Sequence, residues 1–142
     1  MKKLTGSANE RLDRLSDRAF FLRIATLVLE RADRDEAFLR LFLLSALEGH
    51  ELSRQFYRAR TGRLIAAMER RLTAIFRRDG RPAGLDAAGA ARAFFSLAFG
   101  TVMARTILED ARLRQAEPKR LAANLVSVFF SGMAPGGGST RA

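Results

Sequence analysis

The chain has 142 residues, 48% apolar and 28% charged, which fits one globular domain and excludes a wholly disordered chain. It contains no cysteine, which excludes disulfides, thiolate metal sites and cysteine nucleophiles. The formal net charge of +10 comes from 22 arginines and three lysines against 15 carboxylates, a balance that favours anionic partners.

The opening "MKKLTGSANERLD" has two lysines but no apolar run behind them, so it does not read as a secretory signal. No window reaches the roughly 20 apolar residues of a spanning helix. Arg92, Arg105 and Pro135-Gly136 interrupt the longest candidates. The expectation is a soluble, cytoplasmic protein with no membrane partner. Sustained alternation is missing and β-branched residues are few, so an all-α fold of about five helices is predicted.

The first predicted helix covers about Asn9 to Arg31, with Leu12, Leu15, Ala19, Phe21, Leu22, Val28 and Leu29 at three-, four- and seven-residue spacings. The second runs from about Asp35, as N-cap, to Glu48, with Gly49 just past its end. Only Arg40 interrupts its apolar surface, so it is expected to run through the middle of the fold. The third covers about Glu51 to Arg78, with an apolar face containing Tyr57, Thr61, Leu64, Ile65, Met68, Leu72, Ile75 and Phe76; Asp79-Gly80 ends it. The fourth starts from Asp86 as N-cap and reaches about Leu108. The fifth covers about Pro118 to Ala134, with proline at a favoured first position. "PGGGSTRA" reads as a flexible tail.

The fourth and fifth helices each carry two apolar faces, more than one core contact uses. Small residues Gly89, Ala93, Ala98, Gly100 and Ala104 permit close helix approach. A two-fold homodimer built on a four-helix bundle of these helices accounts for both faces. Its candidate interface residues are Phe94, Leu97, Thr101, Ala104, Leu108, Leu125, Val126, Phe129, Phe130 and Met133.

Nothing in the sequence supports an enzyme or implies a cofactor. The one histidine, His50, sits between Glu48 and Glu51 in a turn, where a polar turn residue is the commoner explanation than a metal ligand, and no metal site is expected. On the third helix Arg63, Arg70 and Arg77 repeat at seven, with Arg60, Arg71 and Arg78 alongside. That strip fits a solvated face, or an interface for nucleic acid or an acidic partner. An apolar pocket with a few polar groups is a further expectation, with candidates Phe38, Phe42, Ser45, Phe56, Tyr57, Thr61, Met68, Phe95, Phe99 and Met103, each of which also fits ordinary core packing.

"AFLRLFLLSALEGHELSRQFYRARTGRLIAAMERRL" resembles the regulatory domain of TetR-family transcription regulators. The likeness rests on Glu51, Leu52, Phe56 and Tyr57 in "ELxxxFY", on Asp86, Ala90, Ala91, Arg92, Ala93 and Phe94, and on "GMAP" from Gly132 to Pro135. It covers about Ala19 to Pro135. The resemblance implies an all-helical domain dimerising through its last two long helices, with a pocket for a small apolar or amphipathic effector. It also implies DNA binding through a preceding helix-turn-helix of roughly 45 to 50 residues. Only 18 residues precede Ala19, and they contain no such motif. The chain therefore reads as a regulatory domain without its DNA-binding head: a truncated form, a fragment, or a natural short form. Residues 1–18 are expected to be a charged connecting segment, 19–135 the regulatory domain and 136–142 the tail. The alternative expectation is a basic helical interaction protein that uses its arginine face.

Overall fold

The structure, a computed structural model, describes residues 10–133. Among them there are helices and no strands. Besides a helical turn at residues 10–13, the helices are α1 (Asp17–Arg34), α2 (Glu36–Leu47), α3 (Glu51–Phe56), α4 (Gly62–Asp79), α5 (Ala87–Val102), α6 (Ala111–Gln115) and α7 (Pro118–Gly132). Two π-helical segments, Tyr57–Thr61 and Met103–Ile107, join α3 to α4 and extend α5.

Local chemistry sets most boundaries. Asp35 accepts from the Phe38 amide at 3.3 Å and Asp86 from the Gly89 amide at 2.6 Å, each filling an orphan donor at a helix start. Gly49 and Gly80, at φ 78° and 89°, turn the chain where α2 and α4 end. Pro118 occupies the first turn of α7.

The core is formed by α1, α4, α5 and α7. Helix α1 packs along α7, α4 packs along α5, and α5 also touches α1 and α7. Phe21 lies at the centre with no exposed surface. Its ring meets Phe20, Phe94, Phe129 and Phe130 at centroid distances of 5.2, 5.0, 5.4 and 5.6 Å. Ile24 and Leu29 from α1, Met68 and Leu72 from α4, and Val126 from α7 are the other large side chains that, with Phe94, are fully buried.

Three sequence expectations are corrected. The first predicted helix is broken in two: residues 10–13 are helical, 14–16 are not, and α1 starts afresh at Asp17, where the Ser16 hydroxyl caps the Ala19 amide at 3.3 Å. It also continues to Arg34, past the expected Arg31. The second helix does not run through the middle: α2 has no buried residue, and Leu41, Leu44 and Leu47 are exposed. Its apolar residues serve an outer aromatic contact with α3, while the four longer helices fill the core among themselves. Finally, Ala87–Ile107 is long and apolar enough to cross a membrane by length and composition, contrary to the reading of the sequence. Here it inserts Ala90, Ala91, Phe94, Ala98 and Val102 into the core. The short α6 was not predicted. The tail and the end of the fifth predicted helix at Ala134 lie outside the described residues.

Arg71 fastens the segment before α1 to α4. Its guanidinium donates to the carbonyls of Leu12, Asp13 and Leu15 at 3.1, 3.2 and 2.9 Å, and to Asp17 Oδ1 at 3.2 Å. It also lies 4.6 Å from the Phe20 ring centre. Arg78 reaches the other oxygen of Asp17 at 2.7 Å. Burial of the Asp17 carboxyl works to raise its pKa. The bonds and charges of Arg78 and Arg71 outweigh that and hold it below the usual carboxylate range. With the folded-state value depressed, the unfolded chain takes up the proton first. The stabilisation is complete above about pH 4 and is lost as pH falls through the folded-state value.

Two measurements check this packing. In urea titrations Phe21→Ala is expected to lose about 3–5 kcal/mol, whereas Leu44→Ala stays within about 0.5 kcal/mol. Arg71→Met is expected to cost about 2–3 kcal/mol, because Asp17 and the carbonyls of Asp13 and Leu15 lose this donor and the Leu12 carbonyl keeps only the Leu15 amide. Asp17→Asn should flatten the stability loss on acidification below about pH 4; an unchanged acid limb would contradict the assigned role of Asp17.

Candidate functional site

Six of the ten pocket candidates come together. Phe38 and Phe42 project from α2 onto Phe56 of α3, at centroid distances of 5.1 and 5.5 Å, and lie 6.4 Å from each other. Across the first π segment, Tyr57 meets Phe95 of α5 at 6.2 Å, and Phe95 stacks on Phe99 at 5.9 Å. Phe56 and Tyr57 are adjacent in the chain, so the two groups meet on neighbouring sides of the helical run at the start of the π segment, with no ring contact between them; together they make up the aromatic face. Thr61 sits at the far end of that segment, half-buried, and Met103 opens the second π segment. Ser45 is half-buried on α2. Met68 does not belong to this face; it is fully buried in the core.

The face is open on one side. Phe38 and Tyr57 are each 44% exposed, and Leu41 and Leu52 are 69% and 76% exposed. The α2–α3 hairpin that carries much of it is lightly anchored, because Ser53 is its only buried residue. Arg40 tethers it: the guanidinium bonds Glu36 at 2.9 Å and the Thr106 carbonyl of the second π segment at 3.1 Å. The sequence reading took Arg40 as an interruption of an apolar surface and missed this role. An insertion such as a π turn shifts helix register and recurs at functional sites; here both border the aromatic face.

The association candidates divide in two. Phe94, Val126 and Phe129 are buried in the chain's own core and have no surface for a partner, which corrects their assignment. The rings of Phe94 and Phe129 meet Phe21 at 5.0 and 5.4 Å and each other at 4.9 Å. Leu125, Phe130 and Met133 are half-buried against the same core. Leu97 and Leu108 are exposed, at 38% and 75%, and Thr101 and Ala104 are half-buried beside them. The outward row of α5 is Gly89, Ala93, Ser96, Leu97 and Gly100, with Arg92 its only charge. That of α7 after Arg120 is Ala123, Asn124, Ser127, Val128 and Ser131, with none. Val128, which the sequence places on an apolar face of the fifth helix with Gly132, is not among the interface candidates, although it lies in this row.

The family profile of the AefR-like transcriptional repressor C-terminal domain, a TetR-family domain, matches residues 18–132. The chain belongs to this family. No curated protein and no solved structure matches it. The match assigns the helices described above to a TetR-type regulatory domain.

Within this repressor domain the arginine strip is not uniform. Arg71 and Arg78 turn to Asp17 and are part of the structure. Arg60 lies over the Phe56 ring, 5.4 Å from its centre. Arg63, Arg70 and Arg77 are exposed, and Arg70 and Arg77 line an open depression of ≈ 450 Å³ with Ala66, Glu69, Thr73 and Ala74. A second depression, ≈ 160 Å³, lies near Asp17, Phe76 and Phe130. Neither includes an aromatic-face residue. His50 pairs with Glu48 at 3.1 Å, while Glu51 faces Arg54 and Arg58. Among the described residues no three metal-ligating side chains gather.

The loose anchoring of α2–α3 has a measurable consequence. Native-state hydrogen exchange should show its amides opening on the order of 100-fold faster than those of α4 and α5. Equal protection across both would contradict a separately mobile hairpin.

Proposed function

We propose that this chain is the effector-sensing and dimerisation domain of a TetR-type repressor, with residues 19–135 as the functional unit. The carrying observation is the pair of outward rows on α5 and α7. Apart from Asn124 they are small or apolar, and the charges on them are Arg92 on α5 and Arg18 of α1, which donates to Ser127 at 3.1 Å, in a chain of net charge +10. Among the described residues a Cβ placed at Gly100 or at Gly132 would meet nothing within 4 Å, so packing against them does not explain glycine there. Glycine in an exposed helix costs about 1 kcal/mol relative to alanine. Close approach of a second copy gives it a use. A four-helix bundle of two α5 and two α7 helices fits these rows, with Leu97, Thr101, Ala104 and Leu108 at its edge.

The aromatic face is the effector site of this reading. Ligand contact at α2, α3 and α5 alters α4 through the π segment between Phe56 and Gly62, and α4 holds residues 12–17 through Arg71. In an intact repressor those residues lead to the DNA-binding head. Effector binding then selects among head spacings by differential affinity, as a population shift. The chain acts as a regulatory element rather than as an enzyme, and DNA contact belongs to the preceding head.

Sedimentation equilibrium at micromolar concentration is expected to give a dimer. Gly100→Arg should give a folded monomer with unchanged circular dichroism, since the side chain has open space in the protomer. A dimer that survives Gly100→Arg, or a wild-type monomer, would remove the association face.

A further inference from the structure

We propose that the aromatic face takes an amphipathic anion. Its apolar or planar body lies on Phe38, Phe42 and Phe56, and its anionic head is held by Arg60. This rests on the effector-site reading and specifies the ligand's chemical class.

The charges on α2, α3 and the two π segments single out one side chain. On α2 and α3 each carboxylate is already engaged. Glu36 takes Arg40 at 2.9 Å, Glu48 takes His50 at 3.1 Å, and Glu51 takes Arg54 and Arg58 at 3.5 and 3.7 Å. Asp35 caps the Phe38 amide. From the second π segment, Arg105 is committed to Asp33 at 3.0 Å and to the Ala116 carbonyl at 2.8 Å. Arg60 is left. It is exposed, has no carboxylate within 4.0 Å among the described residues, and stacks on the aromatic group itself. A guanidinium on a ring edge offers an anion charge-assisted bonds beside an apolar platform.

The same charges disfavour the other occupants. A cationic ligand would meet Arg60 with like charge and no free carboxylate. A neutral ligand would leave the guanidinium unused. A second copy of the chain laid face to face here would bring another Arg60 against the first, a like-charge contact.

The protein carries its own reporter. Tyr57 is the only tyrosine, there is no tryptophan, and its ring is 6.2 Å from Phe95 within the face. Two probes share one apolar skeleton: 1-anilinonaphthalene-8-sulfonate bears an anion, and N-phenyl-1-naphthylamine lacks it. Both should quench Tyr57 emission, with the sulfonate about tenfold tighter, the worth of one charge-assisted contact. Arg60→Met should abolish that advantage and leave the neutral probe unchanged, while Arg63→Met should change neither. If the sulfonate binds no tighter than the neutral probe, or Arg60→Met leaves its advantage intact, the anion assignment falls and the effector site stands. If neither probe quenches Tyr57 at millimolar concentration, the effector site falls with it.

Discussion

The packing of α1 against α5 and α7 through Phe21 is the constraint on which the rest of the molecule depends. One ring, in contact with Phe20, Phe94, Phe129 and Phe130, fixes which face of each of these helices turns inward. Helices α5 and α7 are apolar on more than one side, so composition alone does not choose that face. With Phe94 and Phe129 committed to Phe21, Gly100 and Val128 lie outside. The surface proposed for dimerisation is thus what the core leaves over.

The same constraint explains why the α2–α3 hairpin lies outside. Four helices already satisfy one another, and the hairpin contributes only Ser53 to the buried set. It is held by the Arg40 tether and by aromatic contacts at half-exposed rings. An element of this kind can move at low cost while the core stays intact, which suits a ligand-responsive part. At the opposite end of the long helical run, Arg71 and Arg78 hold the segment before α1 with several charge-assisted bonds. A loosely held face and a firmly held connection therefore share one helical run, with a π segment between them. That arrangement is what a sensor needs if a small event at one end is to reposition the other.

Much of the fold was legible in the residues. The caps at Asp35 and Asp86, the glycine turns at Gly49 and Gly80, and proline at Pro118 act through local backbone chemistry, and local chemistry is written in short stretches. Helical spacing puts Phe38 and Phe42 on one side of α2, but their contact with Phe56 on the next helix is not written in that spacing. What was not legible depended on competition between faces. An apolar α2 looks central whether it fills a core or covers an outer aromatic patch. Phe94, Val126 and Phe129 were assigned outward because each helix offered two equivalent rows. Arg71 has the same spacing as the solvated arginines beside it, and only Asp17 and the carbonyls of residues 12–15 distinguish it. The first helix keeps its period through "RLDRLSDR", yet the Ser16 hydroxyl ends that continuity. The π segments have no spacing signature at all.

Association of α5 and α7 with a second copy can be read directly, because the chain has no cysteine of its own. Val128→Cys and Leu44→Cys each place one thiol at a site more than half exposed in the protomer. Maleimide labelling of each variant at micromolar concentration compares the two surfaces within one fold. The account expects Cys at 128 to be protected and to become reactive on dilution, with Cys at 44 reactive throughout. Equal, concentration-independent reactivity at both positions would contradict it.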